Sequence, residues 1–549
     1  MDRKLQILDA YTSLGYKPKH NQVHIVSEIL SAFLDKKKKN VVLHADTGIG
    51  KSIIAAVAAK VLSDTLEPEL SSIILMQNNA LVEQYAESFK ELGDSKFFQV
   101  KGASNYSCEY LKNLNVPNTS AEECARKELT SFEQERYCDK CEFAESRKLI
   151  NKSQNLITNY SYFLISKLWS EHLKDRLLTI FDEAHVLNEV FCEHTAIHFS
   201  IERLDYYIKE LRDGTDGQCQ NQAASLIQLR DELKYGKVNE GNYKQTIKNL
   251  QGIYSQTSNI CDFIQVSADL QKKIKFNKMA KKYKGLACKI DDFFTHGYEH
   301  VFDDSVKGEI TIKSIFVSDM MKLLLGQYNL FMSATITKSF VKDTFNLELS
   351  DTEFIEVEPV FPSENRPLFF IGKDSLNYQK MQDKSVIDNL KKSCGYVVNF
   401  HKNDKGLILT PSFKLAEELS RGISGVKVFE HNKDVKLQKL IEEFKEYKKP
   451  AVLISPSLFE GLDFSGDESR YQIIVKTPYP SLGDKRIKYI ADNYPSMYKL
   501  TTLMKVVQGI GRSIRSVDDF AATYFLDENT KMLFNKDNVW KTRFEVKTK

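Results

Sequence analysis

The run Ala45-Asp46-Thr47-Gly48-Ile49-Gly50-Lys51-Ser52 has the residue types that hold the phosphates of a nucleotide. Gly48 and Gly50 let the backbone turn, so that N–H groups from Thr47 through Gly50 can cradle phosphate oxygens. A helix opening at Lys51 adds the positive end of its dipole, Lys51 can reach the β and γ phosphates, and Ser52 offers a hydroxyl to Mg2+. Farther along, Asp182 and Glu183 follow the apolar run Leu177-Leu178-Thr179-Ile180-Phe181. Two carboxylates at the carboxyl end of a parallel strand lie where open α/β sheets bind ligands. Asp182 suits a Mg2+ shell, and Glu183 suits orienting and deprotonating an attacking water. Gln508, Arg512 and Arg515 follow in Gln508-Gly509-Ile510-Gly511-Arg512-Ser513-Ile514-Arg515. Two arginines three apart share a helical face and can stabilise charge spreading over a γ-phosphate from across a cleft.

A second chemistry is written in sulfur. Four of the nine cysteines, Cys108, Cys124, Cys138 and Cys141, fall within residues 108–141, separated by 15, 13 and 2 residues. In a reducing compartment such clustering suggests a metal site rather than disulfides. Only the last two form a close pair, which fits zinc less well, and four thiolates can equally hold an iron–sulfur cluster. The isolated Cys192, Cys219, Cys261, Cys288 and Cys394 read as buried small hydrophobes or surface thiols. Residues 271–285 carry seven lysines and no acid, a patch suited to a nucleic-acid strand, with Phe276 and Tyr283 as candidates for base stacking.

The elements that must position these groups are legible as alternation. Apolar, β-branched runs at Asn40, Ser72, Asn155, Leu177 and Leu330 are separated by helix-like segments, and a second series recurs at Leu368, Gly406, Val426, Ala451, Gln472 and Ala522. This is the βα rhythm of parallel sheets, and it predicts two α/β lobes joined by the Pro-containing stretch Glu358–Pro367. Residues 101–150 and the polar, mostly helical residues 190–320 interrupt the first series and read as insertions in it. The expected division is first lobe 1–100, 151–189 and 321–345; cysteine segment 101–150; helical insertion 190–320; second lobe 346–549. A chain of 549 residues is too long for one core, and 77 Lys+Arg against 74 Asp+Glu leave a charge of +3, so any nucleic-acid contact must be local. No secretory signal or membrane span is read, and a cytoplasmic location is expected.

In order along the chain, the phosphate-loop run, Asp182-Glu183-Ala184-His185, Met332-Ser333-Ala334-Thr335 and the Gln508–Arg515 run resemble motifs I, II, III and VI of superfamily 2 helicases. Gln77–Gln84 resembles motif Ia, Thr410-Pro411-Ser412 motif IV, and Phe459–Asp463 motif V. Lys19-His20-Asn21-Gln22 is similar to the adenine-reading segment, with Lys19 where the family has arginine. A cysteine quartet between motifs Ia and II and a helical insertion between II and III resemble the XPD/DinG branch, and Lys101–Cys108 is closer to the DinG side.

The resemblance implies two RecA-like motor lobes, a four-cysteine cluster domain and a helical arch domain. It implies ATP and Mg2+ bound by Gln22, Thr47, Gly48, Ile49, Gly50, Lys51, Ser52, Asp182 and Asp463, with Lys51, Asp182, Glu183, Gln508, Arg512 and Arg515 in the hydrolytic machinery. A [4Fe–4S] cluster on Cys108, Cys124, Cys138 and Cys141 is implied, and Ser333 and Thr335 would couple phosphate state to lobe position. The implied activity is ATP-dependent 5′→3′ movement on single-stranded DNA, unwinding duplex, forked or R-loop DNA, in DNA repair. Expected partners are single-stranded DNA, its junctions with duplex and RNA–DNA hybrid, no membrane, and a monomeric chain. The alternatives are a DEAH-type RNA remodelling ATPase and a translocase that does not unwind. With 34 residues after Arg515, no appended nuclease is expected.

Overall fold

The computed structural model of the chain describes residues 2–19, 21–46, 48–90, 97–113, 120–123, 131, 134–138, 141–170, 173–213, 217–267, 270–459, 464, 466–514, 518–536, 540 and 543–547. The strands of the first half are, in chain order, β1 (Asn40–His44), β2 (Ser72–Met76), β3 (Phe97–Gln99), β4 (Asn155–Asn159), β5 (Leu178–Asp182), β6 (Ile197–Ser200), β7 (His300–Asp303), β8 (Glu309–Ser314), β9 (Tyr328–Ser333) and β10 (Thr352–Glu356). Seven of them form a wholly parallel sheet in the order β10-β1-β9-β5-β2-β4-β3.

The central strands are buried along nearly their whole length, with apolar residues at their middles, because both faces are covered. In β1, Val41 and Leu43 pack toward the helices Arg3–Ser13, Gln22–Leu34 and Lys51–Leu66, while Val42 packs on the opposite face with Leu75 and Phe181. Each such side chain contributes about 1.5–3 kcal/mol when buried, so burial on both faces fixes the register strongly. Phe181 of β5 stacks on Phe331 of β9 with centroids 4.5 Å apart, which brings the ends of those two strands level. β10 pairs with β1, so the first sheet extends beyond the expected boundary at residue 345.

The second sheet is also parallel, built from β11 (Pro367–Phe370), β12 (Lys405–Leu409), β13 (Lys427–Glu430), β14 (Ala451–Ser455), β15 (Tyr471–Ile474), β16 (Ala522–Phe525) and β17 (Glu545–Lys547). Its order is β13-β14-β12-β15-β16-β11-β17. The α/β class and the two lobes are therefore as the alternation predicts. The connection between them is irregular apart from one tight turn, Ser363–Asn365.

Between β5 and β9 stand four long helices, Ile201–Arg212, Gly217–Lys234, Tyr243–Ser267 and Leu270–Thr295. Their base is a small antiparallel sheet, β6-β8-β7, where the sequence reading finds few convincing strands. These strands are four to six residues long, and β6 finds its partner β8 more than a hundred residues away, so no local signal announces the pairing. Phe276 and Tyr283 are 4% and 0% exposed, packed inside the helical insertion, so neither can stack on a base as the sequence suggests. Their aromatic surface belongs to the core that lets these Lys-rich helices pack at all.

The second lobe docks on this base. Arg486, 2% exposed, reaches Glu189 at 2.8 Å and the Ile315 carbonyl at 3.0 Å, and Tyr489 donates to Glu299 at 2.7 Å. Among the described residues no helix is long and apolar enough to cross a membrane.

Candidate nucleotide site and cysteine segment

Four neighbouring strands deliver the site. The phosphate loop leaves the carboxyl end of β1, Ser333 ends β9, Asp182 ends β5, and the Gln77–Gln84 segment leaves β2, in the spatial order β1-β9-β5-β2. Gly48 and Gly50 have φ of 89° and 85°, left-handed values that favour glycine. A Cβ on Gly50 would also lie 2.5 Å from Gln22 Nε2. Gln22 is buried, accepts from the Lys19 N–H at 2.9 Å and donates to the Ile49 carbonyl at 2.7 Å. It thus ties the segment before the first lobe's second helix to the phosphate loop.

Lys51, 8% exposed, opens its helix and lies 3.6 Å from Glu183 and 3.4 Å from the Ala45 carbonyl. Glu183 has φ of 48°, a left-handed conformation that costs a non-glycine residue about 1–3 kcal/mol and is maintained by its surroundings. Burial pushes its carboxyl up, but the charge of Lys51, the hydrogen bond with His185 and the charge of Arg512 outweigh burial and hold it below the usual carboxylate range. Asp182 moves the other way: burial, then the adjacent Glu183 charge, raises it. One carboxyl is thus held ionised by its cationic neighbours, while the other gains most from an added positive charge.

From Glu183 a polar path crosses to the second lobe. His185 Nδ1 lies 2.9 Å from Ser333 Oγ and 3.3 Å from Glu183, and the Thr335 N–H donates to Ser333 Oγ at 3.1 Å. Gln508 Nε2 donates to His185 Nε2 and to Thr335 Oγ1, the latter at 3.3 Å. An amide nitrogen can only donate, so His185 Nε2 accepts and the ring proton sits on Nδ1, facing Ser333 and Glu183. Sequence reading gives His185 no role, although it stands inside the quoted motif. Arg512 donates through Nη2 to the Phe459 carbonyl at 2.8 Å. Thr47, Asp463 and Arg515 lie outside the described residues.

Two tyrosines that the sequence does not flag hold Asp182. Tyr160 donates to its carbonyl at 2.7 Å, and Tyr85 donates to Oδ2 at 2.6 Å while accepting from Ser52. Ser52 and Asp182, the expected Mg2+ pair, are thereby joined through one phenol. Their hard oxygen donors fit that cation.

In the cysteine segment, Cys108 and Cys138 pack into one small cluster with Tyr110, Leu111, Tyr137 and Ile274, the last from the helical insertion. The Cys141 N–H donates to the Cys138 carbonyl at 3.2 Å, and Cys124 lies outside the described residues. Among the described residues no group of three or more His, Cys, Asp or Glu is close enough to hold a metal ion. The donor set is all thiol, the chemistry of a thiolate-bound group, and Cys108 and Cys138 lie in one cluster beside the insertion.

Residues 397–539 match the family described as helicase C-terminal domain, and residues 15–210 match the res subunit of type III restriction enzymes. The chain is similar to the 3′-5′ exonuclease DinG of Staphylococcus saprophyticus, 26% identical over 204 residues, 34% of this chain and 22% of that protein. It therefore spans less than a quarter of that relative's length. It is also similar to the probable ATP-dependent helicase YpvA of Bacillus subtilis, 23% identical over 458 residues, 75% of this chain and 69% of the relative. In fold it resembles S. tokodaii Xpd4, with a TM-score of 0.60 at 16% identity over 96% of this chain and 100% of that one.

Proposed function

We propose that the chain is a superfamily 2 motor of the XPD/DinG branch, which hydrolyses ATP between its lobes to move along single-stranded DNA and part the duplex ahead, in the cytoplasm. The observation that carries this reading is the polar path from Lys51 through Glu183, His185 and Thr335 to Gln508, which joins the phosphate-binding loop to the second lobe.

The loop N–H groups and Lys51 hold the phosphates, and Glu183, kept ionised by Lys51, takes the proton of the attacking water. His185, its Nδ1–H toward Glu183, senses whether that carboxylate is engaged and passes the difference to Gln508. Arg512 exchanges the Phe459 carbonyl for γ-phosphate oxygen when the nucleotide is in place, and Arg515 and Asp463 complete the set. Ser52 and Asp182 would hold Mg2+, which when bound neutralises charge on the β and γ oxygens. Cys108, Cys124, Cys138 and Cys141 would hold a [4Fe–4S] cluster, which when bound braces a segment with little apolar content. The cluster packing of Cys108 and Cys138 against Ile274 supports a frame closed between cysteine segment and arch, through which one strand passes.

Movement is 5′→3′, the partners are single strands and their junctions with duplex DNA or RNA–DNA hybrid, and the chain works as a monomer in DNA repair. Contacts to the backbone dominate, so affinity falls with salt and sequence preference is slight. ATP hydrolysis measured with single-stranded DNA and with RNA of the same length tests the reading. Stimulation by DNA and not by RNA is expected, and equal or greater stimulation by RNA contradicts it.

A further inference from the structure

Tyr85 stands where the two expected Mg2+ ligands meet. Its phenol oxygen accepts from Ser52 and donates to Asp182 Oδ2 at 2.6 Å, inside the space between a hydroxyl and a carboxylate that a hydrated divalent cation needs. Mg2+ keeps several waters and tolerates little distortion, so phenol and hydrated cation cannot share that space.

The helix that carries Tyr85, Asn79–Lys90, is fastened at its other end to the cysteine segment. Asn79 donates to Asn105 at 3.0 Å, Glu83 pairs with Lys101, and Asn159 at the end of β4 donates to Asn79. Asn105 is three residues before Cys108. One rigid element of twelve residues thus touches the cation site at Tyr85 and the approach to the cysteines at Asn79 and Glu83.

We propose that Tyr85 is a displaceable positioning residue of the cation site: its hydroxyl bridges Ser52 and Asp182, and a cation taken up by those two groups expels it, shifting the Asn79–Lys90 helix and with it the start of the cysteine segment. Occupancy of the nucleotide site is thereby reported to the frame through which the strand passes. The inference rests on the assignment of Ser52 and Asp182 to the cation.

The test is Mn2+ binding to the purified full chain with saturating ADP, followed by electron paramagnetic resonance. Tyr85→Phe keeps the ring and removes the hydroxyl, so the cation no longer has to break its two hydrogen bonds. Mn2+ affinity should rise about three- to tenfold, while ADP affinity in EDTA stays unchanged. Unchanged or weaker Mn2+ binding overturns the proposal. Asp182→Asn separates the two layers. If it leaves Mn2+ affinity intact, the cation assignment itself falls; if it weakens binding while Tyr85→Phe fails to tighten it, only the role of Tyr85 falls. In the wild-type chain, hydrogen exchange over residues 79–90 should increase when Mn2+ is added to the ADP complex, and no change there overturns the displacement without any variant.

Discussion

Asp46, in the phosphate loop, accepts a 2.8 Å hydrogen bond from Nη1 of Arg543, in the segment that leads into the last strand of the second lobe. Arg366, from the connection between the lobes, reaches the same carboxylate at 3.4 Å. Both guanidiniums are almost fully buried, at 6% and 4% exposure for Arg366 and Arg543, and Arg543 also reaches Glu356 at 3.2 Å. A single acid of the phosphate loop therefore meets two buried cations, one from the connection between the lobes and one from the second lobe, so the seating of the second lobe is tied to the shape of the loop.

Removing that acid should be costly. Asp46→Asn leaves the buried Arg366 without its carboxylate and Arg543 with Glu356 alone, a change worth about 3–5 kcal/mol where a buried pair is broken from one side. The exposed pair of Lys60 and Asp64 makes the contrast, because Asp64→Asn should stay within about 0.5 kcal/mol. Thermal unfolding of both variants checks this: a drop of several degrees for Asp46→Asn and none for Asp64→Asn is expected.

His185→Ala cuts the path between Glu183 and Gln508 without touching a phosphate ligand. Nucleotide affinity should be kept, while the turnover stimulated by single-stranded DNA falls about tenfold, the effect of losing roughly 1.4 kcal/mol of coupling. Steady-state ATPase with and without DNA, with KM and kcat resolved, distinguishes this from a binding defect, which would raise KM alone.

His44, at the end of β1, is buried, and burial followed by the nearby Arg543 charge lowers its pKa from 6.5 to about 4. The unfolded chain takes up this proton near pH 6.5 and the folded chain does not until about pH 4. The folded state is therefore favoured fully above pH 6.5 and loses that advantage as pH falls toward 4, by about 2 kcal/mol between pH 7 and pH 5. His44→Gln can still donate to the Ala334 carbonyl, which His44 Nε2 meets at 3.1 Å. The loss of thermal stability between pH 7 and pH 5 should be smaller in the variant, and an identical loss would contradict the burial argument.

Cys138→Ser removes a thiol that is 7% exposed and packs beside Cys108. Iron content and visible absorbance of anaerobically purified protein should fall to background, and strand separation should be lost, while ATP hydrolysis without duplex continues at a comparable rate. Retention of iron, absorbance and unwinding would remove the cysteine quartet from the account.

The parts of this molecule written in local pattern were legible beforehand. Fully buried parallel strands such as Asn40–His44 and Ala451–Ser455 announce themselves as short apolar runs, and Gly48, Gly50, Lys51, Asp182 and Glu183 stand at the strand ends where their residue types lead one to look. What escaped depends on partners distant in sequence. Asp46 gains its role only from Arg366 and Arg543, more than three hundred residues away. Tyr85 matters because folding brings it between Ser52 and Asp182, and the small β6-β8-β7 sheet exists only once four helices have closed the loop between its strands. The seven lysines of residues 271–285 advertise charge, but the aromatic residues among them turned out to be core, since helical packing buries the face that carries Phe276 and Tyr283.

If ATP hydrolysis at Lys51 and Glu183 drives the separation of DNA strands, a labelled duplex carrying a 5′ single-stranded tail reads it out. Release of the labelled strand by the wild-type chain with ATP and Mg2+ is expected, with little or none on a 3′-tailed duplex, and none by Lys51→Ala or Glu183→Gln although both still bind the tail. Absence of strand release by an iron-replete wild-type chain that hydrolyses ATP, or release undiminished in Glu183→Gln, would contradict it.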